Sequence, residues 1–242
     1  MESIQKTPEL KKRFDEYKKD VDIQNKQLQH KYKSSESFYR GTSIEELDSL
    51  IMGEDMSDEW MESKYEFKSL SMNKEEVEDL YSAGVILEYY ADDIRSVGEL
   101  VNYTAEPQPF LSADSENNEI LDKDVEGIGI NYSSQMIDEE EVRVDKQLIY
   151  GTKVKNIIID RININSIKLM NSLSKMFDIP NYNKEYGDEI DQLNKEYGDD
   201  VISMKELDEG FRILDKKYND KIEKDLKNSE TFNNISDGVI MK

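Results

Sequence analysis

The segment GVILEYYA, residues 84 to 91, forms a nearly continuous apolar run in a chain that is otherwise rich in charged residues. A short apolar run without polar alternation predicts a buried strand. Around this run, between residues 36 and 162, segments with a helix pattern and segments with a strand pattern follow one another. Because helices and strands are mixed in this way, the sequence predicts an α+β fold for the middle of the chain.

The N-terminal segment predicts one long helix over residues 8 to 33. Two roles are open for its apolar stripe, which can dock on the body of the protein or pair with a helix of a partner protein. The stripe follows alternating steps of four and three residues, with an interruption at Gln24, and its members are Leu10, Phe14, Tyr17, Val21 and Leu28.

Two further helices carry capping signals at their N-termini. In TSIEELDSLIMGE, Ser43 and Glu46 fit a capping box and Gly53 fits a helix stop. In YEFKSLSMNKEEVEDLYSAG, a short strand is predicted to run into a second capped helix. Strands are also predicted in GIGINYSSQ, EEEVRVD and GTKVKNIIID. Residues 102 to 126 predict a long loop or insertion, because they are polar and contain two prolines.

The chain beyond residue 163 has a helical character. The segment INSIKLMNSLSKMF predicts an amphipathic helix that ends before Pro180. A tandem duplication follows, in which NKEYGDEIDQL is succeeded directly by NKEYGDDVISM, and it predicts a connector. The last dozen residues are predicted to be frayed. A final helix precedes them, and one face of it carries Leu207, Phe211, Leu214, Tyr218 and Ile222.

Charge and composition restrict the partners and the chemistry of the chain. With 32 basic and 54 acidic residues its net charge is −22, which repels the phosphates of nucleic acids and anionic membranes. We therefore expect neither as a partner. The absence of cysteine and the single histidine, His30, argue against disulfides and metal sites. The N-terminus lacks the apolar core of a signal peptide, so a cytoplasmic location is expected.

Three short segments carry residues suited to an anion site and to acid–base chemistry. Arg40 lies between an aromatic residue and a glycine in SFYRGTS. In FKSLSMN, Ser69 and Ser71 are separated by one residue, so on a strand they point to the same side. In MIDEEEVRV, Glu139 and Glu141 have the same alternation where a strand is predicted to begin. Each segment alone is a weak signal, but their order along the chain is informative.

In that order the segments resemble the mono-ADP-ribosyltransferases of the arginine–serine–glutamate class, in the type that has an ExE motif. FYRGTSIEELDSLIMG, FKSLSMNKEEVEDL, and EEEVRV with GTKVKNIIID carry the resemblance. It implies a split mixed β-core with flanking helices and N- and C-terminal helical extensions. The corresponding division is an N-terminal helix at 1–35, a catalytic domain at 36–162 and a C-terminal helical extension at 163–242.

The resemblance implies that NAD is a substrate and that its nicotinamide–ribose bond is broken. Glu141 stabilises the positive charge that develops on the ribose, and Ser69 orients Glu141 or the ribose. Glu139 meets the acceptor, which in the ExE type is an arginine of a target protein. The run of acidic residues also permits a register shifted by one residue, to Glu140, but Glu141 is preferred because Val142 and Val144 then alternate as a strand.

The same resemblance assigns the residues that bind NAD. Arg40 grips the pyrophosphate, for which a planar guanidinium is well suited, and Gly41 belongs to the same aromatic–Arg–Gly stretch. Ser71 supports the strand. Tyr39 and Phe67 are candidates for packing around the nicotinamide or beneath the arginine, and each is equally suited to the core.

Two other functions stay open at this stage. Water can replace the target side chain, which makes the protein an NAD glycohydrolase. Alternatively, the chain is a non-catalytic acidic structural or interaction protein, such as a phage virion or head component, with terminal helices that bind a partner protein. The composition is compatible with a phage origin, and the location is then the host cytoplasm or the virion.

Overall fold

The computed structural model describes ten stretches of the chain besides Leu47, and the structural statements below concern these residues. The stretches are 8–44, 67–81, 84–101, 105–109, 118–120, 128–132, 140–145, 148–149, 152–160 and 166–241.

A seven-stranded mixed sheet forms the centre of the fold. Its strands are β1 (Ser37–Thr42), β2 (Phe67–Ser71), β3 (Val85–Tyr90), β4 (Gly98–Leu100), β8 (Glu141–Asp145), β9 (Val154–Ile159) and β10 (Val239–Met241). They lie side by side in the order β10-β9-β3-β1-β2-β8-β4. Neighbouring strands are antiparallel, except that β10 runs parallel to β9. The predicted α+β class is confirmed.

Helices precede, interrupt and follow the strands. They are α1 (Pro8–Ser34), α2 (Lys74–Glu76), α3 (Ala91–Val97), α4 (Ser166–Phe177), α5 (Asn183–Gly198), α6 (Met204–Asn228) and α7 (Glu230–Ile235). A π-helical turn, Val77–Tyr81, continues directly from α2. The pair α3 and β4 has no counterpart among the predicted elements, because both are short and neither has a strong apolar period. In the part of the chain described here, no helix is long and apolar enough to cross a membrane.

The predicted loop at residues 102 to 126 is wrong in two places. Strands β5 (Ala105–Pro109) and β6 (Asn118–Ile120) lie within it, and both pair antiparallel with β7 (Ile128–Tyr132) to form a small separate sheet. The two prolines of β5 misled the prediction, since proline is a strand breaker except at sheet edges. β5 is an edge strand of this sheet, where proline is tolerated.

The apolar face of the large sheet packs against the C-terminal helices. Alternate residues of the central strands point to this face. Among them are Phe38, Leu87 and Val142, which are completely buried. Helix residues cover them and complete the hydrophobic core, and these include Leu169, Leu173, Phe177, Tyr218, Ile222 and Phe232. β3 is buried at five of its six positions, which confirms the strand predicted from GVILEYYA.

Helix α1 docks on the body of the protein through its second half. Val21 and Leu28 are buried, the ring of Tyr32 lies 5.5 Å from that of Phe38, and its hydroxyl donates to the carbonyl of Gly98 at 3.3 Å. The side chains of Leu10, Phe14 and Tyr17 lie outside the described residues, as do Glu46 and Gly53 of the next predicted helix. His30 is exposed, as expected of a solvated residue.

The duplicated segment is a helix and not a connector. The first copy, together with the start of the second, forms α5, which packs in antiparallel fashion against α6. The glycines of the two copies, at positions 187 and 198, are residues typical of turns. Gly187 instead lies within the helix, and a Cβ there meets nothing within 4 Å.

The C-terminus is also ordered, so the prediction of frayed residues is wrong. Phe232 of α7 is buried and its ring packs edge-to-face on Phe177 at 5.4 Å. β10 then pairs with β9 from Val239↔Ile157 to Met241↔Ile159. A three-residue strand has no period of its own, which is why the sequence alone did not indicate it. The segment predicted as a helical extension thus contributes a strand to the central sheet.

Candidate active site

Two paired strands bring the predicted serines opposite the predicted glutamate. In the antiparallel ladder between β2 and β8, Ser69 is paired with Arg143 and Ser71 with Glu141. Partners in a ladder point to the same face of the sheet, and residues two apart share that face. Ser69, Ser71, Glu141 and Arg143 therefore lie on one face, as predicted for the two serines, while Leu70 and its partner Val142 point into the core.

Glu141 is buried and strongly hydrogen-bonded. Only 7% of the residue is exposed. The hydroxyl of Ser69 donates to Glu141 Oε1 at 2.6 Å. Arg143 donates to the same oxygen from Nε at 3.0 Å and to Oε2 from Nη2 at 3.2 Å. Donors therefore hold both oxygens of this side chain, and its orientation is fixed.

Arg40 contacts Ser69 at a main-chain atom of β2. The ladder joins β1 to β2 at a single described pair, Tyr39↔Ser71. Arg40 Nη1 donates to the carbonyl oxygen of Ser69 at 3.2 Å. Tyr39 points to the same side as its partner Ser71, and strand alternation directs Arg40 to the opposite side. Arg40 therefore lies on the face of the sheet opposite Glu141, and its guanidinium meets β2 at the main-chain carbonyl of Ser69. Ser69 thus connects Arg40 to Glu141.

Tyr39 and Gly41 lie on β1 beside these residues. Tyr39 is half-buried and packs against a small apolar cluster of Val77, Ile86 and Ile158. Burial raises the pKa of Tyr39, and the carboxylate of Glu88 raises it further. Gly41 is paired with Ile86 of β3. Of the two roles predicted for Tyr39, packing against core residues is the one for which the structure shows contacts.

Ser71 stabilises the turn that leaves β2. It is 6% exposed and its Oγ accepts a hydrogen bond from the backbone N–H of Asn73 at 2.9 Å. Asn73 in turn caps α2, since its side chain accepts from the backbone N–H of Glu76. Phe67 begins β2, but its side chain lies outside the described residues.

The alternation predicted for Glu139 and Glu141 is interrupted at Glu140. Glu140 has a φ of 48°, in the left-handed region, and β8 begins only at Glu141. A residue with this φ is not extended, so it does not continue the strand. The side chain of Glu140 pairs with Lys31 of α1. Between the two candidate registers, it is therefore Glu141 that contacts Ser69, while Glu139 lies outside the described residues.

Arg143 was not among the residues singled out from the sequence, although it makes two hydrogen bonds to Glu141. A signal for it was present, because EVRV alternates and places Arg143 on the same face as Glu141. The signal is weak by itself, since an arginine on a strand next to several acidic residues is usually a surface residue.

A second buried carboxylate lies on the neighbouring strand β3, where Glu88 is paired with Tyr39. Glu88 is 8% exposed. It accepts hydrogen bonds from Ser37 at 2.6 Å and from Asn156 at 2.7 Å, and it forms an ion pair with Lys155 at 2.8 Å. Burial by itself raises the pKa of Glu88, but these hydrogen bonds outweigh it and lower the pKa below its ordinary value.

A cavity in the described part of the chain lies apart from Glu141. Among the described residues, no group of three or more His, Cys, Asp or Glu side chains could hold a metal ion. A cavity of about 100 Å³ lies against the helix-covered face of the sheet, and its walls include Leu87, Tyr89 and Ile157. Arg40, Ser69 and Glu141 are not part of its lining.

Four residues form one connected set. The buried carboxylate of Glu141 is held by the hydroxyl of Ser69 and the guanidinium of Arg143. The guanidinium of Arg40 donates to the main-chain carbonyl of Ser69. Such a carboxylate can stabilise a positive charge that develops beside it, because its orientation is set before the reaction begins. Comparisons of the chain with models of known protein families, with curated proteins and with solved structures give no match.

Proposed function

We propose that the protein is an NAD-dependent mono-ADP-ribosyltransferase that modifies a protein side chain, with arginine as the acceptor. One observation supports this most directly: the hydrogen bond of 2.6 Å between Ser69 Oγ and Glu141 Oε1. The two residues are 72 positions apart in the sequence, and they were selected as the serine and the glutamate of one motif. Arg40, the third residue of that motif, contacts the carbonyl oxygen of Ser69.

The sheet also supports an ADP-ribosyltransferase-like fold as part of this proposal. β1 and β2 are neighbours joined at one described pair, Tyr39↔Ser71, and β2 is joined to β8 over five pairs. The three motif residues lie on these neighbouring strands: Arg40 contacts the main chain of Ser69, and the hydroxyl of Ser69 contacts Glu141.

In the proposed reaction the bond between the nicotinamide nitrogen and C1′ of the ribose breaks, and its electron pair leaves with nicotinamide. Positive charge develops on the ribose, as in glycoside cleavage. The carboxylate of Glu141 stabilises this charge and accepts a hydrogen bond from the ribose 2′-hydroxyl. Ser69 keeps the carboxylate in place, and Arg40 binds the pyrophosphate as a charged donor.

A guanidinium nitrogen of the target arginine then forms a new bond to C1′ and loses a proton. Glu139 is the proposed acceptor of that proton, and as a carboxylate it can also pair with the incoming guanidinium. The net charge of −22 favours a basic target protein, because complementary charge accelerates and orients association.

The test measures nicotinamide release from NAD and transfer of label from NAD to proteins of a bacterial lysate. We expect both with the wild-type chain, and a loss of roughly 100-fold or more in Glu141→Gln, since removal of one preorganised electrostatic group costs about 10²–10³ in kcat. Glu140→Gln is the matched control for the register, and we expect a much smaller effect because Glu140 pairs with Lys31.

Three outcomes separate the candidate functions. Nicotinamide release without transfer of label indicates an NAD glycohydrolase. Transfer that survives Glu139→Gln contradicts arginine as the acceptor. If the wild-type chain neither releases nicotinamide nor transfers label, both enzymatic functions are wrong and a non-catalytic interaction protein is the better interpretation.

A further inference from the structure

Arg143 contacts both oxygens of the Glu141 carboxylate. Its Nε lies 3.0 Å from Oε1 and its Nη2 lies 3.2 Å from Oε2. The two residues are separated by one position on β8, so strand alternation keeps them on the same face. The side chain of Arg143 is 36% exposed, whereas that of Glu141 is 9% exposed. The guanidinium therefore lies between the buried carboxylate and the solvent.

The contact restricts how the carboxylate can turn. Ser69 donates to Oε1, and Arg143 donates to Oε1 and Oε2 together. A guanidinium is a planar fork, so a paired donation of this kind sets the plane of the carboxylate as well as its position. Ser69 alone fixes one oxygen and leaves rotation about that contact free.

Burial gives Arg143 a second effect on Glu141. A carboxylate that is removed from water and has no charged partner is strongly disfavoured. Ser69 supplies a neutral donor, and Arg143 supplies the nearby positive charge. Without Arg143, the side chain of Glu141 is expected to turn toward the solvent or to change its hydrogen bonds.

We propose that Arg143 is a positioning residue for Glu141, one that sets the plane of the carboxylate for the reaction and compensates its charge in the absence of substrate. This inference rests on the proposed function, because it concerns the same carboxylate. It differs from a role in binding the phosphates of NAD, for which Arg40 is the proposed residue, and from a purely structural ion pair on β8.

These roles predict different kinetics. A positioning residue changes the rate of the chemical step more than the binding of substrate, so its removal lowers kcat with little change in KM. A phosphate-binding residue mainly raises KM. A structural ion pair lowers the amount of folded protein and leaves the kinetic constants of the folded fraction unchanged.

The experiment measures nicotinamide release by Arg143→Ala, Arg143→Lys and the wild-type chain over a range of NAD concentrations. Misplacement of a reacting group by about 1 Å costs roughly 100-fold. We therefore expect kcat of Arg143→Ala to fall by roughly 10- to 100-fold, with KM for NAD within about threefold of wild type. The kcat of Arg143→Lys is expected to lie between those of Arg143→Ala and the wild-type chain, because lysine keeps the positive charge and lacks the planar guanidinium.

Chemical rescue separates positioning from damage to the fold. Added guanidinium chloride, at concentrations well below those that unfold the chain, is expected to restore part of the activity of Arg143→Ala and none of that of Glu141→Gln. Arg212→Ala is the matched control, since the side chain of Arg212 is 80% exposed and lies on α6. Circular dichroism of each variant establishes that it is folded.

Two results overturn the inference while the proposed function stands, and in both the wild-type chain is active. In the first, the kcat of Arg143→Ala lies within about twofold of the wild-type kcat; in the second, Arg143→Ala has a raised KM for NAD at unchanged kcat. If Arg143→Ala does not fold, Arg143→Lys decides by the same criteria. A wild-type chain without nicotinamide release refutes the proposed function itself, and the inference with it.

Discussion

At the scale of single residues, Glu88 shows how a buried carboxylate can remain ionised. Glu88 lies on β3, and its two oxygens receive donors from two other strands: Ser37 on β1, and Lys155 and Asn156 on β9. Hydrogen bonds to the ionised form offset the cost of burial, and the pKa of Glu88 falls below its ordinary value. The cluster therefore fastens β1, β3 and β9 to one another on the face that carries Tyr39.

Glu88→Gln is expected to destabilise the fold in a pH-dependent way. A carboxyl group whose pKa is lower in the folded state stabilises the protein above its ordinary pKa of 4.5. That contribution disappears as the pH falls through the lower value of the folded state. Urea unfolding should therefore give wild type an advantage of about 2 kcal/mol at neutral pH, as expected for hydrogen bonds to a charged group, and this advantage should shrink as the pH is lowered below 4.5.

The opposite pH dependence, or equal stability of the two chains at neutral pH, contradicts this account of Glu88. Glu99→Gln is a suitable control, because Glu99 is exposed on β4.

At the scale of elements, the duplication places one sequence in two environments. The copies are 11 residues apart, which is about three turns of helix, so equivalent residues lie on the same face of α5. Tyr186 in the first copy packs edge-to-face on Tyr218 at 5.2 Å and donates to Asp215 at 2.6 Å. Its equivalent, Tyr197, is 43% exposed. The difference arises because α6 lies alongside Tyr186, while Tyr197 is near the turn that joins the two helices.

Tyr186→Ala and Tyr197→Ala form a matched pair. We expect Tyr186→Ala to lower the free energy of unfolding by about 1–2 kcal/mol, for the aromatic contact and the hydrogen bond together. Tyr197→Ala is expected to change it by about 0.5 kcal/mol or less, as is usual for exposed positions. Chemical denaturation of both variants checks this. Equal losses would mean that α5 does not pack on α6 in the way described.

At the scale of the whole molecule, the C-terminal strand β10 forms one edge of the central sheet. β10 covers β9, and Ile157 donates its backbone N–H to the carbonyl of Gly238 at 2.9 Å. Val239 is 5% exposed and belongs to the same hydrophobic core as the central strands. The first and last thirds of the chain are thus held in one sheet.

Removal of residues 238 to 242 is expected to lower the free energy of unfolding by about 2 kcal/mol, the scale of one buried valine side chain. It also converts β9 into an unprotected edge strand. Hydrogen exchange should show the amide of Ile157 gaining exchange beyond that of amides in β8, such as Val142. Removal of Lys242 alone is the control, and a truncated chain with wild-type exchange at Ile157 argues against the pairing of β10.

The sequence by itself determined the elements that have a strong local period and the side on which their residues point. Helices α1, α4 and α6, strand β3 and the shared face of Ser69 and Ser71 follow from spacing, because periods of 3.6 and 2 residues are properties of the local backbone. Strands β4, β6 and β10 have three residues each, too few for a period, so only their partners in the sheets define them.

The candidate site was determined partly by the sequence and partly by the tertiary structure. Residue types and order were sufficient to select Arg40, Ser69 and Glu141, but their contacts depend on β1, β2 and β8 being neighbours in the sheet. Only the tertiary structure decided that Ser69 faces Glu141 and that the backbone turns at Glu140. The contact of Ser69 with Glu141 depends on the pairing of strands that are about 70 residues apart in the chain, which no local pattern contains.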